Sequence, residues 1–325
     1  MIPKKLAEGD QIRIVAPSRS LAIISQENIK LAALRLEELG FIVTYGKNVW
    51  AQDEFDSSSI EQRVSDLHEA YSDREVKGIL SVIGGFNSNQ LLKYLEYDLI
   101  RNNPKIFCGY SDITALHNAI YAKTGIVSYN GPNFSNFSMK KGLDYTLEGF
   151  KKCIIGDEPF MISPSEEWAD DKWYLDQETR NFIRNEGFRV INQGLAKGRI
   201  IGGNLCTLNL LQGTEFMPSL KDTVLFIEDD YESKPSTFDR DLVSLIHQHE
   251  FDGVGGILIG KFQKESGMTD ELLTKIIKTK RELSDIPVIV GLDFGHTTPQ
   301  ITFPIGGIVD VIATDGSLNI KIVEH

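Results

Sequence analysis

Ile106-Phe-Cys-Gly-Tyr-Ser-Asp-Ile-Thr114 is the stretch on which the reading of this chain turns. A short apolar run ends at Gly109, a hydroxyl follows at Ser111, and Ala115 to Tyr121 reads as a helix, so Ser111 falls at a sharp strand-to-helix turn. Such a turn exposes its side chain at the positive end of a helix, where backbone N–H groups can bind the oxyanion that a serine's attack creates. The same pattern also suits a plain helix N-cap, made by Ser111 or Asp112. Ile113 stands where the Gly-x-Ser-x-Gly form has its second glycine, so the surroundings must decide between the two.

Those surroundings alternate strand and helix. Gln11 to Ala16 is a β-branched run closed by Pro17-Ser18, Gln26 to Leu39 is an amphipathic helix stopped by Gly40, and Phe41 to Tyr45 is a second strand. Ser58-Ser-Ile-Glu61 has capping-box spacing and opens a helix to about Tyr71, and Gly78 to Ile83 is a strand ending in Gly84-Gly85. This alternation predicts an α/β fold with a mostly parallel sheet flanked by helices, whose ligand crevice lies beyond the carboxyl ends of the strands. Two crevice loops are then Gly84-Gly-Phe-Asn-Ser-Asn89 and Gly109-Tyr-Ser-Asp112. The Gly85 N–H is a candidate oxyanion donor beside that of Asp112, the bland alternative being a glycine-rich turn. Neither Gly-Lys-Ser/Thr nor Gly-x-Gly-x-x-Gly is present to make a phosphate loop.

Beyond Asn130-Gly-Pro-Asn-Phe-Ser-Asn-Phe-Ser138, a loop by composition, the pattern changes. From about Asp157 to Glu186 the chain carries many acids, Pro159, Pro164, Trp168 and Trp173 without a long period. The expected division is an N-terminal α/β domain over 1–150, a connecting segment over 151–188 and a C-terminal α/β domain over 189–325. The two tryptophans either dock against the body or cover a ligand.

In the second half, Val224 to Ile227 is a buried strand that delivers Glu228 at its end, followed by Asp229-Asp-Tyr-Glu232; carboxylates there suit a site or a solvated loop. Val288-Ile-Val-Gly-Leu-Asp-Phe-Gly-His296 ends another strand in a histidine, and Ile308 to Thr314 with Leu318 to Val323 forms a closing hairpin. Of six histidines, only His296 sits in a glycine-flanked loop at a strand end. Ser111, Glu228 and His296 thus supply nucleophile, acid and base, the three residue types an acyl-transfer triad needs.

Composition limits the partners. The 325 residues carry 34 basic and 46 acidic side chains, a net charge of −12, with no basic block, which argues against nucleic acid and anionic membrane. No window is long and apolar enough for a span or a signal peptide, so a cytoplasmic location is expected. Cys108, Cys153 and Cys206 are too few and too scattered for a disulfide framework or a zinc site, and no His pairing suggests a metal. Cys108, within an apolar run, is expected to be buried.

Five segments, Gly84-Gly-Phe-Asn-Ser-Asn-Gln-Leu-Leu92, Gly109-Tyr-Ser-Asp-Ile-Thr114, Gly202-Gly-Asn-Leu205, Phe226-Ile-Glu-Asp-Asp230 and Gly291-Leu-Asp-Phe-Gly-His296, together resemble the LD-carboxypeptidase family of serine peptidases. The Gly-Gly-Phe-Asn-Ser-Asn form and the tryptophan-bearing segment resemble its microcin C immunity branch. The resemblance implies an N-terminal domain like that of class I glutamine amidotransferases, a smaller C-terminal α/β domain, a homodimer, and no metal or cofactor. It implies Ser111 as nucleophile, Glu228 as acid, His296 as base, and the N–H groups of Gly85 and Asp112 as oxyanion hole. Substrate contacts would come from Phe86, Asn87, Trp168 or Trp173, Asn204 and Lys234. The implied substrate is an aminoacyl or peptidyl sulfamoyl or phosphoramide adenylate, the alternative being a murein tetrapeptide that loses its terminal D-amino acid. Two rivals stay open: a non-catalytic cleft-binding protein, and an enzyme with Cys108 as nucleophile at the turn.

Overall fold

The computed structural model describes residues 1–325. Five strands, β1 (Gln11–Val15), β2 (Ile42–Tyr45), β3 (Val76–Ser81), β4 (Ile106–Gly109) and β5 (Ser128–Asn130), run parallel in the spatial order β2-β1-β3-β4-β5. β4 is buried along its whole length and β3 everywhere but Lys77, because helices cover both faces of the sheet. From β1 the chain winds outward to β2 on one side and to β3, β4 and β5 on the other. The loops leaving β1 and β3 therefore flank the switch point, where a crevice opens.

Helices Gln26–Glu38, Ile60–Ser72, Tyr97–Asn102 and Thr114–Thr124 fill the connections. The capping box before Ile60–Ser72 forms one residue later than its sequence spacing suggests. Ser59 Oγ accepts from the Gln62 N–H and Gln62 Oε1 accepts from the Ser59 N–H, both at 3.3 Å, while Ser58 is buried.

A second sheet has eight strands in the order Phe160–Met161, Ser317–Glu324, Ile308–Thr314, Gly194–Asn204, Thr223–Glu228, Val254–Gly260, Val288–Leu292 and Arg189–Asn192. Its four strands from Gly194–Asn204 to Val288–Leu292 are parallel and the flanking ones antiparallel. A linear cut at 150 and 189 is crossed twice. Phe303–Ile305 pairs antiparallel with β5 as the edge strand of the first sheet, and Phe160–Met161 pairs with Ser317–Glu324 of the second.

The two sheets meet through the helix that follows the Ser111 turn. Asn118 Nδ2 donates to the Gly202 carbonyl at 2.8 Å, and the Asn204 N–H donates to Thr114 Oγ1 at 2.9 Å. These bonds join the start and middle of helix Thr114–Thr124 to the end of Gly194–Asn204, which is the sheet neighbour of the strand carrying Glu228. Ile113, Leu116 and Ile120 add buried apolar contact to a core that continues into the second sheet. No helix is long and apolar enough to cross a membrane.

Candidate active site

Ser111, from the first sheet, meets Glu228 and His296, from the second. His296 Nε2 lies 3.0 Å from Ser111 Oγ, and His296 Nδ1 lies 2.9 Å from Glu228 Oε2. The three residues are far apart in sequence and come together because each leaves the carboxyl end of a buried strand. Glu228 is 1 % exposed, so the solvated-loop reading of that acid does not hold.

The N-cap reading of the turn fails as well. Neither Ser111 nor Asp112 makes a capping bond to helix Thr114–Thr124. Ser111 instead adopts φ +65°, a left-handed backbone that costs a serine free energy and is kept where the surroundings impose it. This turn aims Oγ away from the helix and at the imidazole. Two glycines leave room for the relay: a Cβ on Gly84 would lie 2.8 Å from both Cβ and Oγ of Ser111, and one on Gly295 would lie 2.7 Å from Glu228 Oε2.

Asp112 spends its carboxylate on the loop after β3. Its Oδ2 accepts from Ser18 Oγ at 2.6 Å and from the Ser88 N–H at 2.8 Å, while Ser88 Oγ donates to the Asp112 carbonyl at 2.6 Å. The Gly84–Ser88 loop is thereby pinned against the serine turn, and the N–H groups of Gly85 and Asp112 donate to no protein acceptor. Two free donors beside an activated hydroxyl are what an oxyanion requires. Ser18 was not legible as part of this clamp, since a lone Pro17-Ser18 signals only a strand end.

The connecting segment lies against the histidine loop. The Ala169 and Thr298 backbones exchange hydrogen bonds of 2.7 and 2.8 Å, and Asp293 accepts from the Ser165 N–H at 2.7 Å and from Asn185 Nδ2 at 3.1 Å. Lys261 completes this buried cluster, 3.7 Å from Asp293. The two tryptophans then part company. Trp168 stacks under the ammonium groups of Lys261 and Lys264, each 5.3 Å from its ring centre. Trp173 instead lines a cleft of about 230 Å³ with His296, Tyr110, Tyr174, Tyr231 and Lys172. Tyr174 and Tyr231 carry no sequence signal beyond being aromatic.

The remaining candidates are placed as follows. Phe86 is exposed; Asn87 is buried, its Oδ1 3.3 Å from Ser18 Oγ. Asn204 caps its own short helix, accepting from the Thr207 N–H at 3.0 Å, and donates to Asp229 at 3.2 Å. Lys234 donates to the carbonyls of Tyr231 and Glu265 at 3.1 and 2.6 Å, two residues that line the cleft. Cys108 lies inside β4, not at the turn, with its thiol pushed far up by burial, which removes the cysteine-nucleophile alternative. His117 is buried between Ser128 Oγ and the Gly109 carbonyl and held neutral, its pKa driven down to about 4 by burial.

The electrostatics favour a charged imidazole at rest. Burial opposes the charge on His296, but Glu228 first, then Asp230 and Asp229, outweigh it and lift the pKa to about 9. Asp229, buried beside Glu228, is pushed up to about 7, burial being the larger cause.

Residues 12–131 match the LD-carboxypeptidase N-terminal domain and residues 197–311 the LD-carboxypeptidase C-terminal domain. The putative carboxypeptidase YocD of Bacillus subtilis is 56 % identical over 100 % of both chains. The crystal structure of an MccF-like protein from Bacillus anthracis superposes with a TM-score of 0.99 at 55 % identity, covering 100 % of both chains. The microcin C7 self-immunity protein MccF of Escherichia coli is 33 % identical over 100 % of this chain and 96 % of its own. A structure of MccF in complex with aspartyl sulfamoyl adenosine superposes with a TM-score of 0.89 at 31 % identity, covering 100 % of this chain and 99 % of that one. The chain therefore belongs to the LD-carboxypeptidase family and is a serine peptidase-like enzyme.

Proposed function

We propose that the protein is a serine hydrolase that cleaves the amide of aminoacyl or peptidyl sulfamoyl or phosphoramide adenylates, with Ser111, His296 and Glu228 as its triad. The observation that carries this reading is the Ser111–His296–Glu228 relay at 3.0 and 2.9 Å, opening into a cleft lined by Trp173. His296 Nε2 takes the Ser111 proton as Oγ adds to the carbonyl carbon, and the N–H groups of Gly85 and Asp112 hold the oxygen that becomes negative. The imidazolium then returns that proton to the departing nitrogen, which breaks the C–N bond and leaves an acyl-serine for water to hydrolyse by the same relay. Glu228 keeps the Nδ1 proton in place and balances the transient positive charge. In the cleft, the Trp173 ring offers a stacking face for the base of a nucleoside leaving group.

A second reading, release of a terminal D-amino acid from a murein peptide, has one feature in its favour. Lys172 in the cleft could receive the free carboxylate that such a leaving group carries. A non-catalytic binding role has no use for the strained φ at Ser111 or for a histidine relay.

The test compares wild type with Ser111→Ala on aspartyl sulfamoyl adenosine and on a murein tetrapeptide. Turnover of the first by wild type, lost by at least about 10⁴-fold without the hydroxyl, is expected. Equal turnover by both proteins would overturn the triad, and turnover of the tetrapeptide alone would replace the substrate assignment.

A further inference from the structure

Resting on Ser111 as the nucleophile, we propose a second subsite, formed by Arg19, Phe55 and Phe86, that binds the outer part of a peptidyl acyl group through a carboxylate. The direction follows from the reaction geometry. The departing nitrogen must face the imidazole that protonates it, so the leaving group occupies the cleft shared by His296 and Trp173. The acyl chain then runs from the other side of the carbonyl carbon, past Gly85.

Three loops build a wall there. Arg19 follows β1, Phe55 follows β2 and Phe86 follows β3, so the wall borders the switch-point crevice of the sheet. Gly85 is tight against the first loop: a Cβ on it would lie 2.2 Å from Ser18 Oγ and 3.0 Å from Arg19 Cγ. The guanidinium stem therefore runs directly alongside the candidate oxyanion donor. The loops are also fastened to one another. Ser57 Oγ donates to the Ser18 carbonyl at 2.6 Å, the Ser20 N–H to the Asp56 carbonyl at 2.8 Å, and the Arg63 guanidinium to the carbonyls of Pro17 and Asn87 at 3.2 and 3.1 Å.

On this fixed frame the outward side chains are unspent. Arg13, on β1 itself, takes the carboxylates of Glu69 and Asp73, whereas Arg19 is exposed and takes none. Phe55 and Phe86 meet edge to face with ring centres 6.3 Å apart, yet stay 59 % and 53 % exposed. An apolar pair and a free guanidinium on adjoining loops match an acyl group with an apolar stem and a carboxylate.

The experiment measures binding without turnover. Glutamyl-alanyl and alanyl-alanyl sulfamoyl adenosine are titrated calorimetrically into the Ser111→Ala protein and into the same protein with Arg19→Gln, Arg19→Lys or Phe86→Ala, each first checked by thermal melting. The glutamyl ligand is expected to bind about tenfold or more tightly than the alanyl one, as for one charge-assisted hydrogen bond. Arg19→Gln should bring that ratio close to one, Arg19→Lys should restore part of it, and Phe86→Ala should weaken both ligands. A ratio near one with Arg19 present, or unchanged by Arg19→Gln, overturns the subsite. Wild-type hydrolysis of both ligands alongside such a ratio would leave the hydrolase reading intact, whereas an Arg19-dependent ratio without any hydrolysis would overturn the hydrolase and leave the subsite.

Discussion

Replacing Glu228 by Gln removes one charge while keeping the size of the side chain, and its effect should depend on pH in a defined direction. The His296 imidazole is lifted from its ordinary 6.5 to about 9, against the burial that opposes it, chiefly by Glu228. At about 1.4 kcal/mol per pH unit, the surroundings favour the imidazolium by about 3 kcal/mol. A raised histidine pKa in the folded state contributes stability that is complete below 6.5 and is lost as pH rises through about 9. The Gln variant should therefore be less stable than wild type at pH 6, by up to about 3 kcal/mol, and the gap should close by pH 10. Asp229 pushes the same way. Its carboxyl is raised from 3.8 to about 7 by burial and then by Glu228, so the folded state loses stability as pH rises between those values, and losing the Glu228 charge relieves part of the cost. Urea unfolding of both proteins at pH 6 and pH 10, with NMR titration of the His296 ring, measures both quantities. A His296 midpoint that stays near 9 in Glu228→Gln, or a stability gap that widens with pH, would refute the reasoning. The free-enzyme base must be neutral, so the acid limb of wild-type kcat/KM should lie near that same midpoint and move to lower pH in the variant.

Three further outcomes follow from contacts around the relay. Gly84→Ala brings a methyl to 2.8 Å from Ser111 Oγ, so kcat should fall with little change in KM, and stability should drop by about 1–3 kcal/mol, measured by steady-state kinetics and denaturation. Trp173→Ala should raise KM for a nucleoside-bearing substrate about tenfold or more, the scale of one lost base stack, while Trp168→Ala, which strips a ring from beneath two lysines, should raise it much less. Asp293→Ala leaves the mostly buried Lys261 ammonium without its carboxylate and frees the Ser165 and Asn185 donors. A loss of about 3–5 kcal/mol in urea unfolding is expected, with a smaller loss for Asp293→Asn.

Much of the candidate site was legible because it obeys local rules. Buried parallel strands leave apolar runs, and the residues that follow their carboxyl ends enter the crevice, so Ser111, Glu228 and His296 could be picked by position and residue type before any contact was known. The family resemblance named the same three. The placement of the other polar and aromatic side chains was not legible in the same way, because whether a side chain faces the cleft or its own loop depends on the loop's path. Asn204 caps a short helix, and Lys234 donates to the carbonyls of two cleft-lining residues. Trp168 and Trp173 are five positions apart in a segment without periodicity, yet one lies under the lysines and the other lines the cleft.

By itself the sequence determined the strand-helix alternation, the parallel sheet and the three residue types at the strand ends, since these rest on hydrophobic period, turn residues and side-chain chemistry. Tertiary structure alone decided the left-handed turn at Ser111, the Ser18–Asp112 clamp behind Gly85, and the exchange of Phe303–Ile305 into the first sheet. Each joins residues tens to hundreds of positions apart or is imposed by such a contact. A local pattern carries no record of which distant group will arrive to fill a backbone's space or take its hydrogen bond.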